Sequence, residues 1–282
     1  MASKKHVQQR VMAYTFIAPA LILTLGVVAY PIVNVVIRSF QVEGGFGFDH
    51  YVYLFTNRHS LTNLFYTLYI CIVTVVVAVA VAYGLALFMR FSGSAASRLI
   101  GVLYLIPRFI PGLVAVNAMI TVIRDSGLLN RIALVFGYDF KPGLMFNEKG
   151  IILMNLWFNI PFATMMILAG LSSIPDSMIE SARDVGASRR AIFTKMIVPL
   201  TMKDVMIAAT FIFMSNVGAF TTPYLMGSTF PQMIGVSLFV QFNNLNYGNA
   251  AALSVIMFLL CSVSAAVYIY TNMREKAWEK QE

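Results

Sequence analysis

Charge is what this sequence has least of. Only 11% of its 282 residues are Asp, Glu, Lys or Arg, whereas 59% are hydrophobic, and the mean hydropathy is +0.77. A soluble domain carries about 25% charged residues, so a water-facing surface cannot be covered here. That excludes an ordinary cytoplasmic enzyme and a disordered tail. Cysteine is scarce too: Cys71 and Cys261 both sit in apolar runs, which excludes a disulfide scaffold and makes them small hydrophobes. There is no H-E-x-x-H, no G-x-S-x-G, no C-x-x-C and no phosphate loop; Gly44-Gly45-Phe46-Gly47 has no following Lys and reads as a flexible turn. No catalytic residue, cofactor or metal site is expected. What remains is an all-α, polytopic membrane protein. Its net charge of +8 then reflects topology, and no nucleic-acid partner is expected.

In bilayer hydrocarbon every backbone N–H and C=O must be paired within its own segment, so apolar runs of about 20 residues predict helices. Six are predicted, at about 11–37, 66–89, 99–123, 150–173, 205–226 and 250–273, in a single domain over 1–282. The third is interrupted by Pro107, Arg108 and Pro111. The polar stretch Gly227–Asn249 separates the fifth from the sixth, and within it Met233–Phe242 is too short to span and reads as re-entrant or interfacial. Six spans put both termini on one side. With the termini in the cytoplasm, the inside segments hold Lys4, Lys5, Arg10, Arg90, Arg98, Arg183, Arg189, Arg190, Lys195, Lys203, Arg274, Lys276 and Lys280. The outside segments hold only Arg38, Arg58, Arg124, Arg131, Lys141 and Lys149. This asymmetry orients the chain with both termini cytoplasmic. The run from Val11 is too long for a cleavable signal sequence, so an uncleaved first span is expected.

None of the twelve carboxylates and none of the three histidines falls inside a predicted span. Proton-coupled and many ion-coupled carriers place such groups at membrane depth. A sodium-coupled secondary carrier using only carbonyls and hydroxyls stays open, as does a scaffold with no pathway. Uphill transport would otherwise draw its energy from another chain.

The segment between the fourth and fifth spans, 174–200, has its own design. Pro175 and Asp176 suit a helix N-terminus. Ile179, Ala182 and Val185 recur at helical spacing, and Gly186 permits the left-handed conformation that closes a helix. Ser188 then caps a second short helix ending before Pro199, with Ile192, Phe193 and Met196 as its apolar stripe. Glu180, Arg183 and Asp184 are expected on the exposed side. Such a pair either lies on anionic lipid or docks a soluble subunit.

The segment resembles the EAA loop of permease subunits of ATP-binding-cassette importers: E-A-A, three residues, Gly, nine residues, I-x-L-P. Here Glu180-Ser181-Ala182 precedes Gly186, and nine residues later comes Met196-Ile197-Val198-Pro199, with Ser, Met and Val as modest departures. The resemblance implies the six-helix type I importer permease fold and no ATPase site in this chain. It also implies coupling through Glu180, Ser181, Ala182, Asp184, Gly186 and Pro199. The implied partners are two ATP-binding cassette subunits, a second and different permease chain, an extracytoplasmic solute-binding protein and the lipid bilayer of a bacterial-type inner membrane. Ala169-Gly-Leu-Ser-Ser-Ile-Pro-Asp176 is similar to sugar-importer permeases. Asn216–Gly227, Gln232–Gly235 and Tyr247–Ser254 are more similar to the spermidine/putrescine-type permeases, a clan that also serves phosphonate and opine-like solutes.

Arg108, a charge at membrane depth, either faces the pathway or snorkels and pairs with carbonyls freed by Pro107 and Pro111. In the pathway it would repel a polyamine and favour a carboxylate, phosphonate or phosphate. Asn155, Trp157, Asn159, Asn216, Thr221, Thr222 and Tyr224 are further pathway candidates, weighed against interhelical hydrogen bonding. Asn155 and Asn159, four apart, share a face.

Overall fold

The computed structural model describes residues 2–276. Glu279, Lys280 and Glu282 lie outside the described residues, as do the side chains of Lys4, Lys5, His6, Arg10, Arg274, Glu275 and Lys276. The chain forms two compact units: residues up to Asn57 with Leu238–Ile256, and Arg58–Ser237 with the helix from Met257 onward.

The first unit starts with α1 (Ala2–Leu23), a π-helical turn (Thr24–Ala29) and α2 (Tyr30–Phe40) in one continuous rod. A hairpin of β1 (Gln41–Val42) and β2 (Gly45–Phe46) follows, turning at Glu43 and Gly44, with Gly44 at φ +98°. Next comes α3 (Asp49–Thr56). Phe40 packs on Phe48 and Tyr51 at 5.3 and 5.1 Å between ring centroids, and the Ser39 hydroxyl meets the Tyr51 hydroxyl at 2.7 Å.

In the second unit, α4 (Arg58–Phe91) is followed by α5 (Ala95–Leu103), α6 (Ile106–Phe109), α7 (Gly112–Ile123), α8 (Leu128–Val135) and α9 (Glu148–Ser172). Then come α10 (Asp176–Asp184), α11 (Arg189–Ile192), a second π-helical turn (Phe193–Ile197), α12 (Val198–Val217) and α13 (Thr221–Met226). The chain ends with α14 (Ile234–Asn243) and α15 (Tyr247–Lys276). The core of this unit is built on α4, α9 and α12. Thr74, Ala78, Ala82 and Ala86 recur every four residues along α4, all fully buried, and the alanines join Ala163, Ile167, Leu171, Ala208 and Ile212 in one cluster. A stripe of small residues lets backbones approach closely, which replaces the hydrophobic drive that lipid cannot supply.

Six stretches among the described residues are long and apolar enough to cross a membrane: Tyr14–Phe40, Arg58–Phe91, Gly112–Val135, Glu148–Ser172, Arg189–Val217 and Tyr247–Tyr270. Two differ materially from the sequence-based spans. The run expected as one span over 99–123 is α5, α6 and α7, broken at 104–105 and 110–111. Ile110, before Pro111, is extended, because the proline ring disfavours the helical conformation in the residue ahead of it. The fifth helix begins at Arg189 and ends at Val217, rather than running 205–226. Lys203 and Asp204, which bounded the expected span, lie within it. Asp204, expected outside the spans, therefore sits within a membrane-length helix, and a Cβ on Gly170 would run into it.

The second short helix also does not end before Pro199; the chain stays helical from Arg189 through it. Each π-helical turn ends two residues before a proline, Pro31 or Pro199. A proline removes one hydrogen bond and its ring presses on the carbonyl four residues back, here Val27 or Lys195. The wider turn contains that carbonyl and lets the helix continue.

Candidate coupling loop and solute pathway

The loop between α9 and α12 is built by local chemistry. The Ser173 hydroxyl donates to Gly170 O at 2.7 Å as α9 ends, and Pro175, extended at φ −65° and ψ 143°, starts α10. Asp176 places its negative charge at the positive end of the α10 dipole. At the other end, Gly186 adopts φ +82°. Its N–H donates to Arg183 O at 2.8 Å, and Ala187 N–H donates to Ala182 O at 3.0 Å. This is the Schellman closure, and the four-residue step from Ala182 to Gly186 is the spacing it requires. The Ser188 hydroxyl then accepts from Ala191 N–H at 3.2 Å and caps α11. A Ser188→Ala change is expected to cost about 1 kcal/mol of local helix stability, seen as faster amide exchange at residues 189–192.

Ile174, Ile179, Ile192 and Ile197 are buried in the core cluster with Ala86 and Leu171. Glu180, Ser181, Arg183 and Asp184 are exposed, and Ala182 is half-buried. Val185 departs from the expected apolar stripe: it is 85% exposed. As the last residue before the glycine closure it has left the helical face that carries Ile179. Pro199 lies in the first turn of α12, exposed.

A residue counted only as a cytoplasmic cation proves to hold this loop. The Arg90 guanidinium, at the end of α4, donates to Ile174 O at 3.1 Å and to Asp176 Oδ1 at 2.6 Å, with a longer approach to Leu171 O at 3.4 Å. It sits where the carbonyls of α9 end, the negative pole of that helix. Its spacing to 171–176 in sequence carries no signal, since the pairing is purely tertiary.

The pathway candidates do not form one cluster. Arg108 lies in the short helix α6, exposed, with its guanidinium carbon 5.3 Å from the centroid of the Phe162 ring. It engages an aromatic face rather than the carbonyls near Pro107 and Pro111. Beside it Leu103, Tyr104, Pro107, Trp157 and Ile160 line an apolar groove of about 340 Å³. Asn155 and Asn159 are both buried in α9. The Asn159 amide donates to Asn155 O at 2.8 Å, within the helix, and the Asn155 amide nitrogen has no partner among the described residues. Asn216, near the end of α12, likewise donates to Ile212 O at 2.7 Å. The interhelical bonding weighed for Asn159 and Asn216 is thus replaced by bonds to the carbonyl four residues back.

Thr221, Thr222 and Tyr224 belong to α13, beyond the end of α12, and not to the fifth span. Gly218 and Ala219 end α12 first. Thr222 is buried, Thr221 half-buried and Tyr224 exposed, its ring stacked on Phe220 at 4.9 Å.

Residues 75–275 match the family described as binding-protein-dependent transport system inner membrane component. The chain belongs to this family. It is accordingly a multi-pass inner membrane protein of the type found as permease subunits of ABC importers. It is 28% identical, over 92% of this chain and 90% of the relative, to the sulfoquinovosyl glycerol transport system permease protein SmoG of Agrobacterium fabrum. It is 24% identical, over 73% of this chain and 75% of the relative, to the spermidine/putrescine transport system permease protein PotB of Escherichia coli. The fold matches a chain in the crystal structure of a bacterial alginate ABC transporter in complex with an alginate pentasaccharide-bound periplasmic protein. The TM-score is 0.83 at 20% identity, covering 96% of each chain.

Proposed function

We propose that this permease forms one half of a solute pathway through the membrane and is driven by ATP hydrolysis on two cytoplasmic cassette subunits that seat the 176–200 loop. The observation that carries the reading is the loop itself. Two short helices are locked at a left-handed glycine, their isoleucines are sunk in the core, and Glu180, Arg183 and Asp184 are turned outward. A directional set of exposed charges on a rigid mount suits a protein cleft better than a fluid lipid surface. The excess of Lys and Arg supports placing this loop and both termini in the cytoplasm. A second permease chain and an extracytoplasmic binding protein complete the assembly, and the chain performs no chemistry of its own. The test is co-expression with the cassette subunits, followed by purification. The expected result is recovery of an ATPase with the wild-type chain and its loss with Glu180→Lys. Uptake by the purified chain alone, driven by an ion gradient, would establish a carrier instead.

For the solute, we infer a small polar molecule bearing a negative charge, the phosphonate or opine-like side of the clan rather than a polyamine. Arg108 supports this: an exposed guanidinium on a broken helix, held on Phe162, would attract an anion and repel a polyamine. The buried and unpartnered Asn155 amide adds a donor of the same preference. The sugar-type reading is favoured by the longer match to SmoG, and an acidic sugar derivative satisfies both. Arg108→Gln is expected to raise the KM for an anionic solute about tenfold, in keeping with the loss of one charged hydrogen bond. Uptake of a neutral sugar should be unchanged. Equal KM values for both would remove Arg108 from the pathway.

A further inference from the structure

The helix α4 is gripped at both ends by polar contacts, one to the 176–200 loop and one to the stretch leading into α14. At one end is the Arg90 contact with Ile174 O and Asp176 described above, on a side chain only 20% exposed. At the other end, Asn63 and Thr67 hold the stretch that leads into α14. Asn63 Oδ1 accepts from Gln232 N–H at 2.9 Å, and its amide donates to Ser237 Oγ at 3.0 Å. The Thr67 hydroxyl accepts from Ile234 N–H at 2.8 Å and donates to Asn63 O. Asn63, Thr67 and Ser237 are buried, as are Met233 and Ile234. These bonds satisfy the Ile234 N–H, which at the start of α14 has no helical partner of its own, and the Gln232 N–H in the stretch just before it. The segment is reached through a cis Phe230–Pro231 peptide, and His59, in the first turn of α4, packs edge-on to Phe230 at 4.7 Å.

Between the two grips α4 is one uninterrupted helix with no proline. From Asn63 to Arg90 it rises roughly 40 Å, enough to cross the hydrocarbon. Its buried stripe of Thr74, Ala78, Ala82 and Ala86 holds it close against its neighbours over much of that length. A helix packed this closely shifts as a body rather than bending locally.

We propose that α4 is the strut that carries movement of the 176–200 loop across the membrane to residues 231–237, with Arg90, Asn63 and Thr67 as the positioning residues at its ends. This rests on the reading of the loop as the ATPase contact. Arg90 fixes the start of α10 to α4, so displacement of α10 is passed on to α4. Asn63 and Thr67 then draw the first turn of α14 with it, opening or closing the face where solute enters.

The experiment uses the whole reconstituted transporter with Cys71→Ala and Cys261→Ala as background. Two spin-labelled pairs report distances with and without ATP: Ser94→Cys with Ser177→Cys at the loop, and Lys149→Cys with Thr229→Cys at the outer face. In the unmodified strut both distances change on ATP binding. With Arg90→Ala the loop distance still changes and the outer distance does not, and uptake falls about tenfold while basal ATP hydrolysis persists, within the usual range of coupling effects. Arg90→Lys restores part of the outer change. Thr67→Val gives the same loss from the far end, and Thr67→Ser, which keeps the hydroxyl, restores it. An outer distance that still follows ATP in both Arg90→Ala and Thr67→Val overturns the strut alone. A loop distance that ignores ATP in the unmodified chain overturns the loop reading, and the strut with it.

Discussion

Replacing Gly186 by valine is expected to leave the chain inserted in the membrane and to abolish most solute-stimulated ATP hydrolysis by the assembled transporter. Gly186 holds φ +82°, and nothing lies within 4 Å of where a Cβ would sit. Space is therefore not the obstacle. An L-residue in this region costs roughly 1–2 kcal/mol, and a β-branched one more. The chain can avoid that cost by abandoning the left-handed turn, which breaks the bonds from Gly186 N–H to Arg183 O and from Ala187 N–H to Ala182 O. The angle between α10 and α11 is then no longer fixed, and the exposed charges on α10 lose their setting relative to Ser188 and Arg189. The six membrane-length helices do not depend on this turn, so insertion should persist. Measured in vesicles, Gly186→Val should retain the chain at normal levels with uptake reduced by about tenfold or more. Gly186→Asn, which tolerates the left-handed region better, should retain more activity than valine.

Gly170→Leu is expected to fail differently, by destabilising the chain itself. The Asp204 carboxylate lies over Gly170, so that even a Cβ would meet its Oδ2, Cγ and Cβ atoms. The site is at the end of α9 that carries the Arg90 contact, and the neighbouring Leu171 is fully buried. A leucine must displace both the short Asp204 side chain and α12, an overpacking of a close helix contact costing about 1–3 kcal/mol. The readout is a lower melting temperature in detergent and less protein in the membrane. Gly170→Ala should be milder in the same direction. An unchanged melting temperature for Gly170→Leu would show that α9 and α12 separate there freely.

Gly170 and Asp204 also show where sequence reasoning ran out. A hydropathy reading treats Lys203 and Asp204 as the edge of a span, because charge in lipid is costly. Here the helix continues past them, and the Asp204 side chain is received by a glycine on another helix, which no local pattern announces. The third span failed for the opposite reason. Its composition is largely apolar apart from Arg108, but Pro107 and Pro111 divide it into three short helices. The 174–200 loop was legible because its determinants are local: Pro175 at a start, Gly186 at a closure, Ser188 at a cap. Arg90, Asn63 and Thr67 were not, since each acts on a segment more than 80 residues away. The asparagines stand out in apolar helices, but bonding to the carbonyl four residues back and bonding across helices leave the same sequence trace.

In the proposed function the 176–200 loop receives the force of ATP hydrolysis. The most direct measurement is solute-stimulated ATP hydrolysis by the reconstituted transporter carrying Glu180→Lys, with the binding protein and solute present. Stimulation and uptake are both expected to be lost while the chain remains inserted. Stimulated hydrolysis at the unmodified level, with normal uptake, would contradict that role for the loop.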